Sequence, residues 1–217
     1  MDETLKLKIR KFEAKDRAQL RQIAHDTAFM GKPASIFFDG QELISDALTL
    51  YFTDYEPESC FVADTGQEIA GYLIGAKDKN ASENIFNRKI LPGLLFKLLK
   101  SGGLLKAKNI VFVYNCLIEM FKGGFCAQDF RKQYPATLHI NIKEGFRGQN
   151  IGARLLAVYL DYLKTEAIPG VVLATMSDQG ADFFLKSGFT LLRKGKRSYF
   201  KHILGKDVPL YIMGRKL

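Results

Sequence analysis

The sequence predicts a mixed α/β fold in which about seven strands form one twisted, mixed sheet flanked by helices. Three observations carry that reading. Leu138-His139-Ile140-Asn141-Ile142 alternates like a half-buried strand and leads, through a small-residue turn, into the amphipathic run Ile151-Gly152-Ala153-Arg154-Leu155-Leu156. Ser59 to Asp64 and Glu68 to Ala76 are two strand patterns joined by Asp64-Thr65-Gly66, a hairpin signal. Helical periodicities separate the remaining strand patterns along the chain.

In order, Lys6 to Phe12 reads as a strand, and Asp16 is placed to cap a helix running to about Phe29, with Leu20, Ile23, Ala24 and Thr27 on one face. After a loop through Gly31-Lys32-Pro33, Glu42 to Phe52 forms a second helix with Ile44, Ala47, Leu48 and Tyr51 at helical spacing. The hairpin follows, then a segment from about 81 to 135 built of amphipathic helices, with a Ser101-Gly102-Gly103 break and a close at Gly123-Gly124. Val171 to Met176 reads as a buried strand, Ser177-Asp178-Gln179-Gly180 as a turn, and Ala181 to Ser187 as a short helix stopped by Gly188-Phe189. A final strand pair completes the chain.

At 217 residues and 47% hydrophobic content, the chain is expected to form one domain, 1 to 217, with the helical segment as an insertion. Cys60, Cys116 and Cys126 show no paired spacing and no C-x-x-C, which fits reduced thiols. The charged start Met1-Asp2-Glu3 does not resemble a signal peptide, and the apolar run Ile110 to Ile118 is too short to span a bilayer; the expectation is a cytoplasmic protein with no membrane span. No cluster of His, Cys and Asp has metal-site spacing, so no metal is expected.

The net charge of +9 is uneven. Residues 1 to 80 carry 10 basic against 14 acidic side chains, 81 to 135 carry 9 against 3, and 190 to 217 carry 8 against 1. That split suits docking of a cationic amine on one side and an anionic cofactor on the other. It also suits a basic nucleic-acid-binding module, although no RNA-binding motif accompanies it and no nucleic acid is expected as partner.

The run Arg147-Gly148-Gln149-Asn150-Ile151-Gly152-Ala153 carries the chemistry. Strand, turn and helix start put free backbone N–H groups at the positive end of a helix dipole, where a diphosphate binds. Neither G-x-G-x-x-G nor a P-loop string occurs. The pattern resembles motif A of the GNAT superfamily of acyl-CoA-dependent N-acetyltransferases: Arg147 and Gly152 fit, while Asn150 stands where a Gly is usual and tolerates positive φ better than other side chains. The following strand, turn, helix and Gly188-Phe189 resemble the family's next motif.

That resemblance implies acetyl transfer from acetyl-CoA to a primary amine of a small molecule or protein, by direct attack. Ile140, Asn141 and Ile142 would bond the pantetheine arm. Arg147 and the amides through Gly148, Gln149, Asn150, Ile151, Gly152 and Ala153 would hold the diphosphate. Asp178 or Ser177 falls where an Asn of the family commonly bonds the pantetheine, and Phe184 occupies the position of a Tyr that protonates the leaving thiolate. Phe184 has no proton to give, so a non-catalytic acyl-CoA-binding relative is the alternative.

Candidate bases are His139, whose pKa range suits an amine proton, Tyr134, and the carboxylates of the acidic N-terminal third. His139 is also read as a hydrogen-bonded core residue, His25 as structural and His202 as part of a basic loop. Asp39, Glu42, Asp54, Glu56 and Glu58, on or beside the second helix, would draw in an ammonium group or form a solvated face. The inserted helices cover the sheet or a second copy in a homodimer, wall the acceptor site, or lay a basic amphipathic face on a membrane surface, since Lys89, Lys97, Lys100, Lys106 and Lys108 accompany their leucines.

Overall fold

The computed structural model describes residues 7–122 and 130–217. The expected strand start at Lys6, the Gly123-Gly124 close and Cys126 lie outside them. Strands β1 (Lys8–Lys11), β2 (Cys60–Asp64), β3 (Ile69–Ala76), β4 (Ala136–Ile142), β5 (Gly170–Thr175), β6 (Thr190–Arg197) and β7 (Val208–Lys216) form one sheet in the order β1-β2-β3-β4-β5-β7-β6. Only β4 and β5 are parallel; every other neighbour pair is antiparallel.

All eight residues of β3 are buried, because both faces of the sheet centre are covered. On one face lies α6 (Ile151–Thr165), which presses Ile151, Leu155, Leu156, Tyr159, Leu160 and Leu163 onto Leu73, Ala136 and Leu138. Beside it α7 (Asp178–Lys186) adds Ala181 and Phe184 to the same core. On the other face α1 (Arg17–Thr27) and α2 (Gln41–Tyr55) pack over Val62, Tyr72 and Ile74.

The structure corrects several local expectations. Asp16 does not cap α1 with its side chain; it is buried and accepts from Glu13 N at 2.9 Å and from both terminal nitrogens of Arg10, whose Nε reaches Asp64 on β2 at 2.8 Å. One buried carboxylate thus ties β1, β2 and the start of α1, and its charge is held below the usual carboxylate range against the opposing effect of burial. The inner face of α2 is Ser45, Thr49 and Phe52 rather than Ile44, Ala47 and Leu48, because α2 docks on α1 through small polar groups, with Ser45 Oγ donating to Arg21 O at 3.0 Å. Ser177 to Gly180 is a helix start and not a free turn: Ser177 Oγ accepts from Gly180 N at 2.9 Å.

The inserted segment forms α3 (Lys79–Ile85), a π-helical turn over Phe86–Ile90, α4 (Leu91–Lys100) and α5 (Ala107–Phe121). Two buried polar residues fasten α5. Asn109 accepts from Asp39 N at 2.7 Å and donates to Asp39 O and Gly103 O, both at 3.0 Å. Glu119 accepts from Ser198 N at 3.0 Å, from Ser198 Oγ and from Arg197. His202 sits in a fourth short piece, α8 (Lys201–Leu204), which replaces the expected loop between β6 and β7. Leu98 of α4 and Phe112 and Val113 of α5 join Phe29, Phe37, Phe38 and Phe200 in a third apolar cluster at the end of α1. Among the described residues no helix is long and apolar enough to cross a membrane.

Candidate active site

The two parallel strands begin as neighbours and then part. Only Ala136 and Thr137 pair with Val171 and Val172; beyond them β4 stays with β3 and β5 with β7. The facing edges therefore carry backbone groups outside any ladder. At the branch point Tyr159 Oη donates to Thr137 O at 2.8 Å, across a gap that exists because residue 75 is glycine: a Cβ there would lie 2.1 Å from that hydroxyl.

The wedge opens into a cleft of about 710 Å³. Its walls include Leu138 to Ile142 of β4, Leu173 to Ser177 of and after β5, Phe146 to Ala153 at the start of α6 except Gln149, and Gln179, Gly180, Phe183 and Phe184 of α7. At the mouth the chain turns left-handed three times, at Gly145 (φ 88°), Gly148 (φ 79°) and Asn150 (φ 60°, ψ 13°). Asn150 adopts the geometry its residue type allows. The helix N-terminus is left open by this path. The Gln149 amide closes a turn around Arg147-Gly148; among the described residues nothing accepts from the other amides between Arg147 and Ala153, and the first helical amide with an internal partner is that of Arg154, bonded to Asn150 O at 3.2 Å.

Side chains brace the loop without closing it. Gln149 Nε2 donates to Gly145 O at 3.1 Å. Arg147 donates from Nε to Ile142 O at 3.2 Å and from Nη2 to Gly31 O at 2.9 Å, bridging the end of β4 to the loop after α1. Its guanidinium is the only side-chain formal charge on the cleft wall among the described residues.

The β4 alternation holds: Leu138, Ile140 and Ile142 pack toward α6, while His139 and Asn141 turn toward α1 and α2. Asn141 Nδ2 donates to Tyr72 Oη at 2.7 Å, its register partner on β3. Tyr72 is buried, which pushes its hydroxyl pKa up. His139 lies edge-on to Phe52, with ring centroids 5.5 Å apart. It makes no hydrogen bond to a described residue, so it is not the bonded core histidine considered above. Its imidazole is open to the cleft yet ringed by protein, and this burial, with the positive charge of Lys79, lowers its pKa.

Two expected site residues stand elsewhere. Tyr134 lies two residues before β4, at the end where the strands are still paired, and its ring packs over Gly170 and Gly214. It does not line the cleft. Asp178, first residue of α7, turns outward to accept from Tyr211 Oη at 2.5 Å; Ser177, Gln179 and Gly180 line the cleft in its place. Phe184 does line the cleft, buried against Phe183 and Phe189.

The acidic set is also consumed. Asp39 pairs with Lys108 at 2.8 Å, Asp54 with Arg17 at 2.8 Å and Glu42 with Arg21. Glu56 is buried under Tyr51 and Ser59, and Glu58 lies 3.6 Å from Lys77. None lines the cleft, whose remaining wall includes Thr27, Ala28, Met30, Leu48, Tyr72 and Met176. Tyr72 was missed by sequence reasoning because its register opposite Asn141 belongs to the β3–β4 pairing across the inserted helices, which no local pattern sets; Met30 and Leu48 gave no local signal.

In sequence, no family model and no curated protein matches the chain. In structure, SsHAT is similar over 97% of this chain and 98% of its own, at a TM-score of 0.71 and 20% identity. A GNAT superfamily phosphinothricin acetyltransferase from Sinorhizobium meliloti, solved in complex with AcCoA, matches over 97% and 88% at 0.57 and 14%. The fold is that of the GNAT acetyltransferases. The Drosophila melanogaster polyamine N-acetyltransferase shares it as well, over 97% of this chain and 100% of that one, at 0.60 and 16%. Within the GNAT fold, the parted strands and the open helix start of this chain are its own observed geometry. Among the described residues no group of three or more potential metal ligands gathers.

Proposed function

We propose that this chain is a GNAT acyltransferase that binds acetyl-CoA in the wedge between β4 and β5 and transfers the acetyl group directly to a primary amine. The observation that carries the reading is the cluster of open amides between Arg147 and Ala153 at the start of α6, beside the guanidinium of Arg147. Backbone N–H groups at a helix N-terminus suit a diphosphate, and the free edge of Ile140 to Ile142 suits an extended amide-bearing arm. Acetyl-CoA supplies the activated acyl group. The amine forms a C–N bond as the thioester C–S bond breaks.

The chain's own contribution is position and one proton site. His139, kept neutral near pH 7 by its surroundings, takes the proton that the amine loses. The neutral, largely apolar acceptor wall favours the uncharged, nucleophilic form of the amine. Phe184 lends no proton, and a thiol of ordinary pKa, about 8.5, leaves as thiolate at a cost in rate.

Phe184 also motivates the second reading, an acyl-CoA binder without turnover. Calorimetric titration with CoA and acetyl-CoA, together with free-thiol detection over an amine panel, separates the two. Binding with thiol release on at least one amine supports the enzyme; binding with no release on any supports the binder; no binding of either nucleotide refutes both.

A further inference from the structure

We infer that the outer face of the inserted helices docks on an anionic lipid bilayer. The face is an inversion of ordinary helix patterning. On α5 the fully buried positions are the polar Asn109 and Glu119, while Ile110, Val111, Tyr114, Leu117, Met120 and Phe121 face solvent. On α4 only Leu98 is buried, and Leu91, Leu95, Phe96 (66% exposed) and Leu99 (63%) are outside. Leu105, in the loop between the two helices, is 88% exposed. Both helices lean on the same cluster through Leu98, Phe112 and Val113, so their apolar outer sides are left over. A soluble helix normally turns its apolar stripe inward, and large apolar side chains left exposed in this number on neighbouring elements mark a docking site.

Charge selects the occupant. From 84 to 122 the chain carries seven basic residues, Arg88, Lys89, Lys97, Lys100, Lys106, Lys108 and Lys122, and a single acid, Glu119. That acid is turned inward onto Ser198 and Arg197. Lys97 and Lys108 are paired with Asp46 and Asp39, whereas Arg88, Lys100 and Lys106 form no salt bridge among the described residues. A two-fold pairing of this face with a second copy would set like charges against one another. An anionic headgroup layer complements them, with leucine, phenylalanine and methionine entering the acyl boundary and Tyr114 placed for the interface.

The test is vesicle flotation of the full chain, which needs no catalytic activity and is therefore independent of the acetyl-transfer reading. Phosphatidylcholine vesicles are compared with phosphatidylcholine–phosphatidylglycerol vesicles at low and high salt. The unmodified chain should float with the anionic vesicles, lose much of that binding at high salt and stay unbound with phosphatidylcholine alone. The double variants Lys100→Glu/Lys106→Glu and Phe96→Ser/Leu99→Ser change exposed side chains and should keep the native melting curve. Each should lower the partition coefficient about tenfold or more. The inference is overturned by no flotation, by equal flotation on both lipids, by variants that float like the unmodified chain, or by a patch-dependent dimer in sedimentation without lipid binding.

Discussion

Gly152 offers the sharpest separation between folding and ligand binding. It is the second residue of α6 and lines the cleft. A Cβ built there would lie 3.4 Å and 3.5 Å from two atoms of the Phe183 ring and 3.8 Å from Ile140 Cδ1, so one methyl fits with little displacement. Gly152→Ala should therefore fold as before and gain up to about 1 kcal/mol from reduced backbone entropy. Gly152→Val adds two more carbons where Phe183 already touches. They must push the ring into the cleft or occupy the cleft themselves, beside the amides of Ile151 to Ala153. Hydrogen bonds to a charged ligand contribute about 1.5–3 kcal/mol each, and loss of one or two corresponds to roughly a 10- to 10⁴-fold weaker CoA complex. Over-packing costs about 1–3 kcal/mol of stability, which a well-folded domain can absorb. Calorimetric titration and a thermal melt on native, Ala and Val forms decide it. A folded Val variant that binds CoA within twofold of the native chain would refute the placement of the diphosphate.

Three further outcomes follow from the geometry. Asn150→Gly should leave stability and CoA binding nearly unchanged, whereas Asn150→Val, forced to φ near 60°, should cost about 1–3 kcal/mol in denaturant unfolding and weaken CoA binding; a Val variant as stable as the native chain would contradict the left-handed turn. His139 has a folded pKa below its unfolded value, so it is protonated in the unfolded chain before the folded one. Its contribution makes stability and kcat/KM fall as pH drops through and below about 6.5, with a plateau above, while His139→Gln should remove that limb and lower kcat about 10²- to 10⁴-fold; an unchanged acid limb in the Gln variant would exclude His139 as its source. Asn109→Ala would strand the amide and carbonyl of Asp39 and leave the Gly103 carbonyl only its bond from Lys106 N, at about 2–4 kcal/mol or roughly 5–15 °C in Tm, and a melt within 2 °C (about 1 kcal/mol) of the native value would show that the inserted helices are held by other means.

What was legible in the sequence follows from the length scale of each signal. The hairpin, the β4 alternation and the α6 periodicity are local patterns, and the structure repeats them within a residue or two. The bend at Asn150 was readable because few residue types accept positive φ. The inner face of α2 was not, because its packing against α1 uses Ser45 and Thr49, which no hydrophobic count weighs. Tyr134 and Asp178 were misplaced for another reason. Each lies within four residues of the cleft lining in sequence, but strand pairing turns the first onto Gly170 and Gly214 and the helix start turns the second onto Tyr211.

The acidic N-terminal third shows why charge totals mislead about sites. Its carboxylates looked available for an ammonium group, yet their partners, Arg10, Arg17, Arg21, Lys97 and Lys108, come from other elements that only the fold brings near. With the carboxylates so spent, the acceptor side of the cleft has no fixed negative charge among the described residues. On the proposed reading, an amine entering there would meet the thioether of Met30, the methyls of Leu48 and the imidazole of His139. Such a wall disfavours the ammonium form, which cannot attack, relative to the free amine, which can. On the proposed reading, selection by desolvation and shape replaces selection by charge, and the demand for a proton acceptor falls on His139, the one imidazole lining the cleft among the described residues, whose pKa burial and the charge of Lys79 lower.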